Sequence, residues 1–246
     1  MRLFGLIGYP LSHSFSKKYF AEKFARENIR DCKYELFPIH DIQQITDLIK
    51  NHPDLNGLNV TVPYKQLVLS YLSHSNIPAG LKACNCIKIE KDKLIGYNTD
   101  LIAFKESLIP LLNKQHTKAL ILGEGGAAAA VQFGLKKLHI DFNIVSRRTG
   151  NSSVFTYSSL TREVISEHTL IINTTPLGTS PDINECPAID YDGISEKHLL
   201  YDLIYNPEKT KFLAEGEKRG AEIYNGYNML VIQAEESWKI WNEGIN

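Results

Sequence analysis

Short, unbroken apolar runs alternate with stretches of helical periodicity through the first hundred residues. Residues 3–8, 34–38 and 57–62 read as strands, with helices over 17–27 and 42–50 between them. A helix over about 101–112 leads into a second series: strand 118–122, helix 127–138, then strands 142–145, 170–173 and 199–203. Strands this short and this continuously apolar are the kind that parallel sheets bury on both faces. After Gly226 the pattern changes to a helix over 229–241, with Leu230, Ala234, Trp238 and Trp241 on one stripe able to pack back onto the first series. The expected fold class is α/β, with an N-terminal α/β domain over 1–101, a Rossmann-like α/β domain over 102–225, and a returning C-terminal helix in 226–246.

Composition changes this picture little. At 246 residues the chain suits two domains better than one. Its 27 Lys and Arg nearly cancel 28 Asp and Glu, so no global field favours nucleic acid or an anionic membrane. The four cysteines form no C-x-x-C pair and the eight histidines show no metal-ligand spacing, which predicts reduced thiols and no metal. The apolar run 3–7 is too short for a signal peptide and no run is long enough for a membrane span. The expectation is a cytoplasmic protein, monomer or homodimer.

The segment from Ala119 to Ala128 fits G-x-G-x-x-[GA], with Gly123, Gly125 and Ala128 in the three small positions between a strand and a helix. The first glycine permits the tight turn, the second lets backbone N–H groups approach a pyrophosphate, and the third small residue lets the helix close on the strand. The helix N-terminus adds partial positive charge. A plain strand-to-helix turn is the competing reading. About twenty residues on, where an NAD enzyme usually carries Asp or Glu, stands Ser146-Arg147-Arg148. Forked guanidinium donors suit a 2′-phosphate, so NADP is expected over NAD. Glu124 puts a carboxylate inside the turn and is expected to point to solvent.

Three polar clusters in the first domain could carry chemistry. In Pro10-Leu-Ser-His-Ser-Phe-Ser16-Lys17, Ser16 is placed as a helix N-cap and Ser14 is left as a hydroxyl for a polar ligand. In Asn59-Val-Thr-Val-Pro-Tyr-Lys65, Asn59 and Thr61 face one way, Pro63 ends the ladder and Lys65 emerges past the strand, where a surface lysine is the alternative. In Gly96-Tyr-Asn-Thr-Asp100, either Thr99 or Asp100 could simply cap the next helix. Oxidising an alcohol needs a hydride acceptor and a group for the hydroxyl proton, and a carboxylate can orient a lysine that does this work. Lys65 and Asp100 are the best such pair.

These motifs, with Ala83-Cys-Asn85, Asn173-Thr-Thr-Pro-Leu-Gly178, Asp202-Leu-Ile-Tyr-Asn-Pro207 and Gly226 through Gln233-Ala234, occur in one collinear order that resembles the shikimate dehydrogenase family over nearly the whole chain. The resemblance implies reversible NADP-dependent reduction of 3-dehydroshikimate to shikimate, with 1–101 as the substrate-binding catalytic domain. It implies that Ser14, Ser16, Thr61, Asn85, Asp100, Tyr205 and Gln233 hold the substrate, with Lys65 as the proton-transfer residue. On the cofactor side it places Gly123, Glu124, Gly125, Gly126 and Ala127 on the pyrophosphate, and Ser146, Arg147, Arg148 and Thr149 on the adenosine phosphate, Arg147 foremost. Asn173 and Thr174 would approach the cofactor, Leu203 and Gly226 would lie near the nicotinamide, and Gln233 would enter a cleft between the domains. Cys86 and Leu101 stand where the family usually has threonine and glycine, and are expected to alter the rim of the substrate pocket. The alternatives are an NAD-using quinate/shikimate dehydrogenase and a regulator that keeps the fold without the reaction.

Overall fold

The computed structural model describes residues 1–11, 14–91, 93–147 and 155–243. Two compact units form, one from residues 1–102 and 231–246 and the other from 103–230.

The first unit is built on β1 (Arg2–Gly8), α1 (Phe15–Arg26), β2 (Cys32–Pro38), α2 (Gln44–Asn51), β3 (Leu55–Val60), β4 (His74–Ser75), β5 (Cys86–Glu90) and β6 (Lys93–Tyr97), with α3 (Thr99–Leu108) beginning here. Its six strands lie in the order β2-β1-β3-β5-β6-β4. β1 pairs in parallel with β2 and β3, whereas β5 is antiparallel to both β3 and β6. Period-two alternation puts Leu3 and Ile7 in one core with Leu58, Val60 and Ile87, and Phe4 and Leu6 in another with Phe20, Tyr34 and Trp241. Both faces are covered, which is why these strands read as unbroken apolar runs.

The β5–β6 hairpin is absent from the pattern reading, because its lysines and glutamate disguise it. Lys88 is buried nonetheless, with its ammonium donating to the Glu243 carbonyl at 2.6 Å and paired with Glu90 at 2.6 Å. The long aliphatic stem of lysine fills core space while its head finds partners.

The second unit carries β7 (Lys118–Leu122), α4 (Gly126–Lys137), β8 (Asp141–Ser146), β9 (Phe155–Thr156), α5 (Arg162–Glu167), β10 (Leu170–Asn173), β11 (Leu199–Asp202), α6 (Lys211–Glu217) and β12 (Glu222–Tyr224), after which α7 (Tyr227–Asn242) begins. Its sheet runs β12-β11-β10-β7-β8-β9 with every pairing parallel, a Rossmann-like order. The order reverses at β7, so the turn after β7 lies at the switch point where open α/β sheets take ligands.

Ala234, Ile240 and Trp241 of α7 are buried in the aromatic core of the first unit, with Trp238 partly so. Leu230, expected on the same stripe, is only half-buried and falls in the second unit. The buried face instead includes the polar Gln233 and Ser237. Among the described residues no helix is long and apolar enough to cross a membrane.

Trp241 fixes the end of α7 to the sheet: its indole stacks on Phe4 at 4.8 Å and its N–H donates to the Ile87 carbonyl at 2.9 Å. A Cβ on Gly57 would come within 2.3 Å of that indole. Gly57→Ala is therefore expected to destabilise the first unit by about 2 kcal/mol through overpacking. Both tryptophans of the chain lie in this core, so the urea midpoint followed by tryptophan fluorescence reads the effect directly.

Candidate active site

In the first unit the chemistry gathers around the start of α3. Asn98 caps this helix, its Oδ1 accepting from the Leu101 N–H at 2.9 Å while its amide donates to the Ala83 carbonyl at 2.8 Å. Asn85 clamps the next residue from both sides: the Thr99 N–H donates to Asn85 Oδ1 at 2.7 Å, and Asn85 Nδ2 donates to Thr99 Oγ1 at 3.0 Å. The alternative that Thr99 or Asp100 caps the helix therefore fails. With capping assigned to Asn98, the Asp100 carboxylate is left to meet Lys65, whose Nζ donates to Oδ2 at 2.7 Å. Their side chains keep 19% and 14% exposure, shielded enough to interact and open enough to reach a ligand.

Lys65 is held by its own backbone, whose carbonyl accepts from the Cys84 N–H at 2.7 Å. The neighbouring cysteines are inert core thiols. Burial pushes Cys84 up to about 12 and raises Cys86 as well. Cys86 is fully buried and Leu101 only 7% exposed, so neither shapes a rim as expected.

The serine cluster also differs from expectation. Helix α1 begins at Phe15, so Ser14 rather than Ser16 occupies the N-cap position, and its side chain makes no cap bond. Its Oγ is shielded and without a hydrogen-bond partner among the described residues. Ser16, two residues further in, is half-buried and acts on the buried Tyr34 hydroxyl, lowering its pKa against the raising effect of burial. That hydroxyl donates to Asn59 Oδ1 at 2.9 Å, Asn59 Nδ2 donates to Ser237 Oγ at 2.9 Å, and Ser237 donates to the Gln233 carbonyl at 2.8 Å. Tyr34, Asn59, Ser237 and the Gln233 carbonyl therefore form one buried polar chain, which satisfies groups that burial would otherwise penalise. Thr61 is half-buried just past β3, its N–H donating to the Ile7 carbonyl at 2.9 Å.

The second unit holds a pocket of about 740 Å³ lined by the Gly123-Glu124-Gly125 turn, Ser146, Arg147, Tyr157 and the run from Thr174 to Leu177. Gly123 adopts φ +108°, a conformation that favours glycine, and a Cβ there would lie 2.8 Å from Thr174 Oγ1. At Gly125 and Gly126 a Cβ would meet nothing within 4 Å, so the missing side chains leave a cradle open at the N-terminus of α4. Ala127 is half-buried and Ala128 fully buried, closing the helix on the sheet. Glu124 and Arg147 are both exposed. This donor set, a bare helix N-terminus and a guanidinium at the end of β8, fits a phosphorylated dinucleotide. Arg148 and Thr149, expected beside Arg147, lie outside the described residues.

Asn173 is fully buried and does not line the pocket; it acts on residues that do. Its Oδ1 accepts from the Thr175 N–H at 3.0 Å and the Thr175 hydroxyl at 2.7 Å, and its Nδ2 donates to Asp202 Oδ1 at 3.0 Å. Asp202 also accepts from the Ile204 N–H at 3.0 Å and the Thr210 hydroxyl at 2.6 Å. The Leu203 N–H donates to the Asn173 carbonyl at 3.0 Å, and the Gly226 N–H to the Ile204 carbonyl at 3.0 Å. A Cβ on Gly226 would fall 2.1 Å from the Leu203 carbonyl oxygen, so only glycine permits this approach. Tyr205, in the same segment, is partly buried, which raises its phenol pKa.

Tyr157 escapes sequence reasoning, because it opens a turn after a two-residue strand. Thr175 to Leu177 and Asp202 show no chemistry by residue type and are signalled only by the Asn173-to-Gly178 and Asp202-to-Pro207 motifs.

Comparison with known proteins agrees with this geometry. Residues 6–87 match the family model described as shikimate dehydrogenase substrate binding domain. The chain is 35% identical over 248 residues to a shikimate dehydrogenase (NADP(+)) of Clostridium botulinum, covering 96% of this chain and 95% of that one. Among solved structures it is similar to a shikimate dehydrogenase in complex with NADP+, with TM-score 0.83 and 32% identity, over 98% of this chain and 90% of that one. It is also similar to the shikimate 5-dehydrogenase of Thermus thermophilus in complex with NADP(H) and shikimate, with TM-score 0.86 and 25% identity, over 98% and 93% of the two chains.

The Asp202 network carries a pH signature. Burial raises the Asp202 carboxyl from 3.8 to about 6, against the opposing effect of its hydrogen bonds from Thr210, Ile204 and Asn173. A carboxyl raised in the folded state stabilises fully below its unfolded pKa, and that contribution is lost as pH climbs through about 6. Between pH 4 and 7 the loss is about 2 kcal/mol. Asp202→Asn should abolish it, so hydrogen exchange of the β10 and β11 amides, corrected for intrinsic rates, should slow in the variant relative to the parent as pH rises. Parallel pH profiles in the two proteins would refute this.

Proposed function

The chain belongs to the shikimate dehydrogenase family, and from that premise we propose that it catalyses the reversible, NADPH-dependent reduction of 3-dehydroshikimate to shikimate. The observation that carries the reading is the Lys65–Asp100 contact at 2.7 Å, a proton donor oriented by a carboxylate that no cap or core contact demands. When bound, NADPH supplies the hydride that adds to the ketone carbon. Lys65 Nζ gives a proton to the ketone oxygen as negative charge develops there, and in the oxidative direction the neutral amine takes the hydroxyl proton. Asp100 accepts a hydrogen bond from Nζ throughout and holds it in register with the substrate oxygen. Asn85, Ser14, Ser16, Thr61 and Gln233 of the first unit, with Tyr205 of the second, are assigned to the remaining hydroxyls and the carboxylate.

For the cofactor, the Gly123-to-Ala127 turn would take the pyrophosphate, Thr174 the adjoining wall, and Leu203 and Gly226 the nicotinamide end. Arg147 would take the 2′-phosphate, with Ser146 beside it. An exposed guanidinium at this position disfavours an NAD-using quinate/shikimate dehydrogenase, and the intact Lys65–Asp100 pair disfavours a regulator without the reaction. The reaction is placed in the cytoplasm.

Steady-state kinetics crossing 3-dehydroshikimate and 3-dehydroquinate with NADPH and NADH test the assignment. The expected result is a kcat/KM for NADPH with 3-dehydroshikimate at least about tenfold above NADH, the worth of one charge-assisted contact; a preference for NADH would overturn the cofactor assignment. Binding of NADPH without turnover would instead favour the regulator. Lys65→Ala is expected to lower kcat by about 100-fold or more while KM for 3-dehydroshikimate changes little, because proton transfer belongs to the transition state. A loss confined to KM would make Lys65 a binding residue.

A further inference from the structure

Tyr157 lines the nucleotide pocket, and the roles assigned so far leave its chemistry unused. Its hydroxyl is shielded from solvent and has no hydrogen-bond partner among the described residues. A shielded O–H without an acceptor is costly, and a ligand that brings an acceptor recovers that cost on binding.

The position of Tyr157 follows from strand register. Strand β9 pairs in parallel with the end of β8, Phe155 opposite Val145 and Thr156 opposite Ser146. Just past the end of this ladder, Tyr157 and Arg147 both line the pocket, and the Arg147 charge acts on the Tyr157 phenol. The turn that follows is held by a capping box, the Thr156 N–H donating to Ser159 Oγ at 2.9 Å, and the Tyr157 ring packs against the apolar core of the second unit. Backbone and ring are therefore both anchored before any ligand arrives. Burial raises the phenol pKa against the opposing charge of Arg147, so at neutral pH the group is an O–H donor beside a guanidinium. A donor and a cation on adjacent strand ends suit one anionic group, at the place where a dinucleotide fold reads the ribose 2′ position.

We propose that Tyr157 is a specificity-determining residue whose hydroxyl donates a hydrogen bond to the 2′-phosphate that Arg147 binds. The proposal rests on the NADP reading above and adds to it a second, uncharged reader of the same phosphate. Discrimination against NAD then comes partly from the phenol, which loses its acceptor when the 2′-phosphate is missing.

Tyr157→Phe keeps the ring and its packing and removes the donor alone. Isothermal titration of the parent and the variant with adenosine 2′,5′-bisphosphate and with adenosine 5′-monophosphate reads the effect without turnover. The expected result is about a tenfold rise in Kd for the bisphosphate, with the monophosphate unchanged. The kcat/KM ratio of NADPH to NADH should fall by the same factor. Equal Kd changes for both nucleotides, or no change for either, would overturn the role of Tyr157 while leaving the NADP assignment standing. If the parent itself binds the two nucleotides alike, the NADP reading fails and this inference with it.

Discussion

The first turn of α3 is the constraint on which the reactive part of the first unit depends. Two buried asparagines, Asn85 and Asn98, take the Thr99 and Leu101 N–H groups at this helix start, and the carboxylate of Asp100 is left to pair with Lys65. A lysine–carboxylate contact that keeps some exposure adds little to stability, since Coulomb attraction there is largely offset by solvation and side-chain entropy. Its value lies in orientation: Nζ is held at 2.7 Å from a partner instead of sampling the rotamers of a free surface lysine. The same Asn85 lies one residue before β5, which ties the pair to the central sheet.

In the second unit a buried carboxylate plays the organising part. Among the described residues Asp202 has no lysine or arginine within ion-pair distance and is held by neutral donors alone, from β10, from the segment after β11, and from the residue that caps α6. Such an arrangement costs desolvation and returns connectivity. Through Asn173 it reaches Thr175 on the pocket wall, and through Ile204 it reaches the backbone against which Gly226 packs.

Much of this was legible in the sequence where local chemistry leaves a local trace. The Gly123 turn is written in residue sizes, because positive φ and close approach admit little else, and the parallel strands are written in unbroken apolar runs. The pairing of Lys65 with Asp100 follows from chemical need, since a lysine that moves a proton wants a carboxylate to orient it. Other features left no such trace. The hairpin of β5 and β6 hides behind Lys88, whose stem is buried while its ammonium finds a distant carbonyl. The N-cap position fell to Ser14 and not to Ser16 because a helix start shifts by a residue or two without changing the pattern. Tyr157 gained its position from the pairing of the two-residue β9 with the end of β8, and a strand that short shows no periodicity.

The sequence by itself determined the two α/β series, the glycine-rich turn and the arginine at the end of the second strand, since each depends on residue type at short range, and it offered Lys65 and Asp100 as candidates for a pair. Only the tertiary structure decided that Asn98 caps α3 and so leaves Asp100 for Lys65, that Asn173 supports the pocket wall instead of forming it, and that a phenol stands beside Arg147. Those outcomes turn on which groups, distant in the chain, compete for the same few hydrogen-bond partners once water has been excluded.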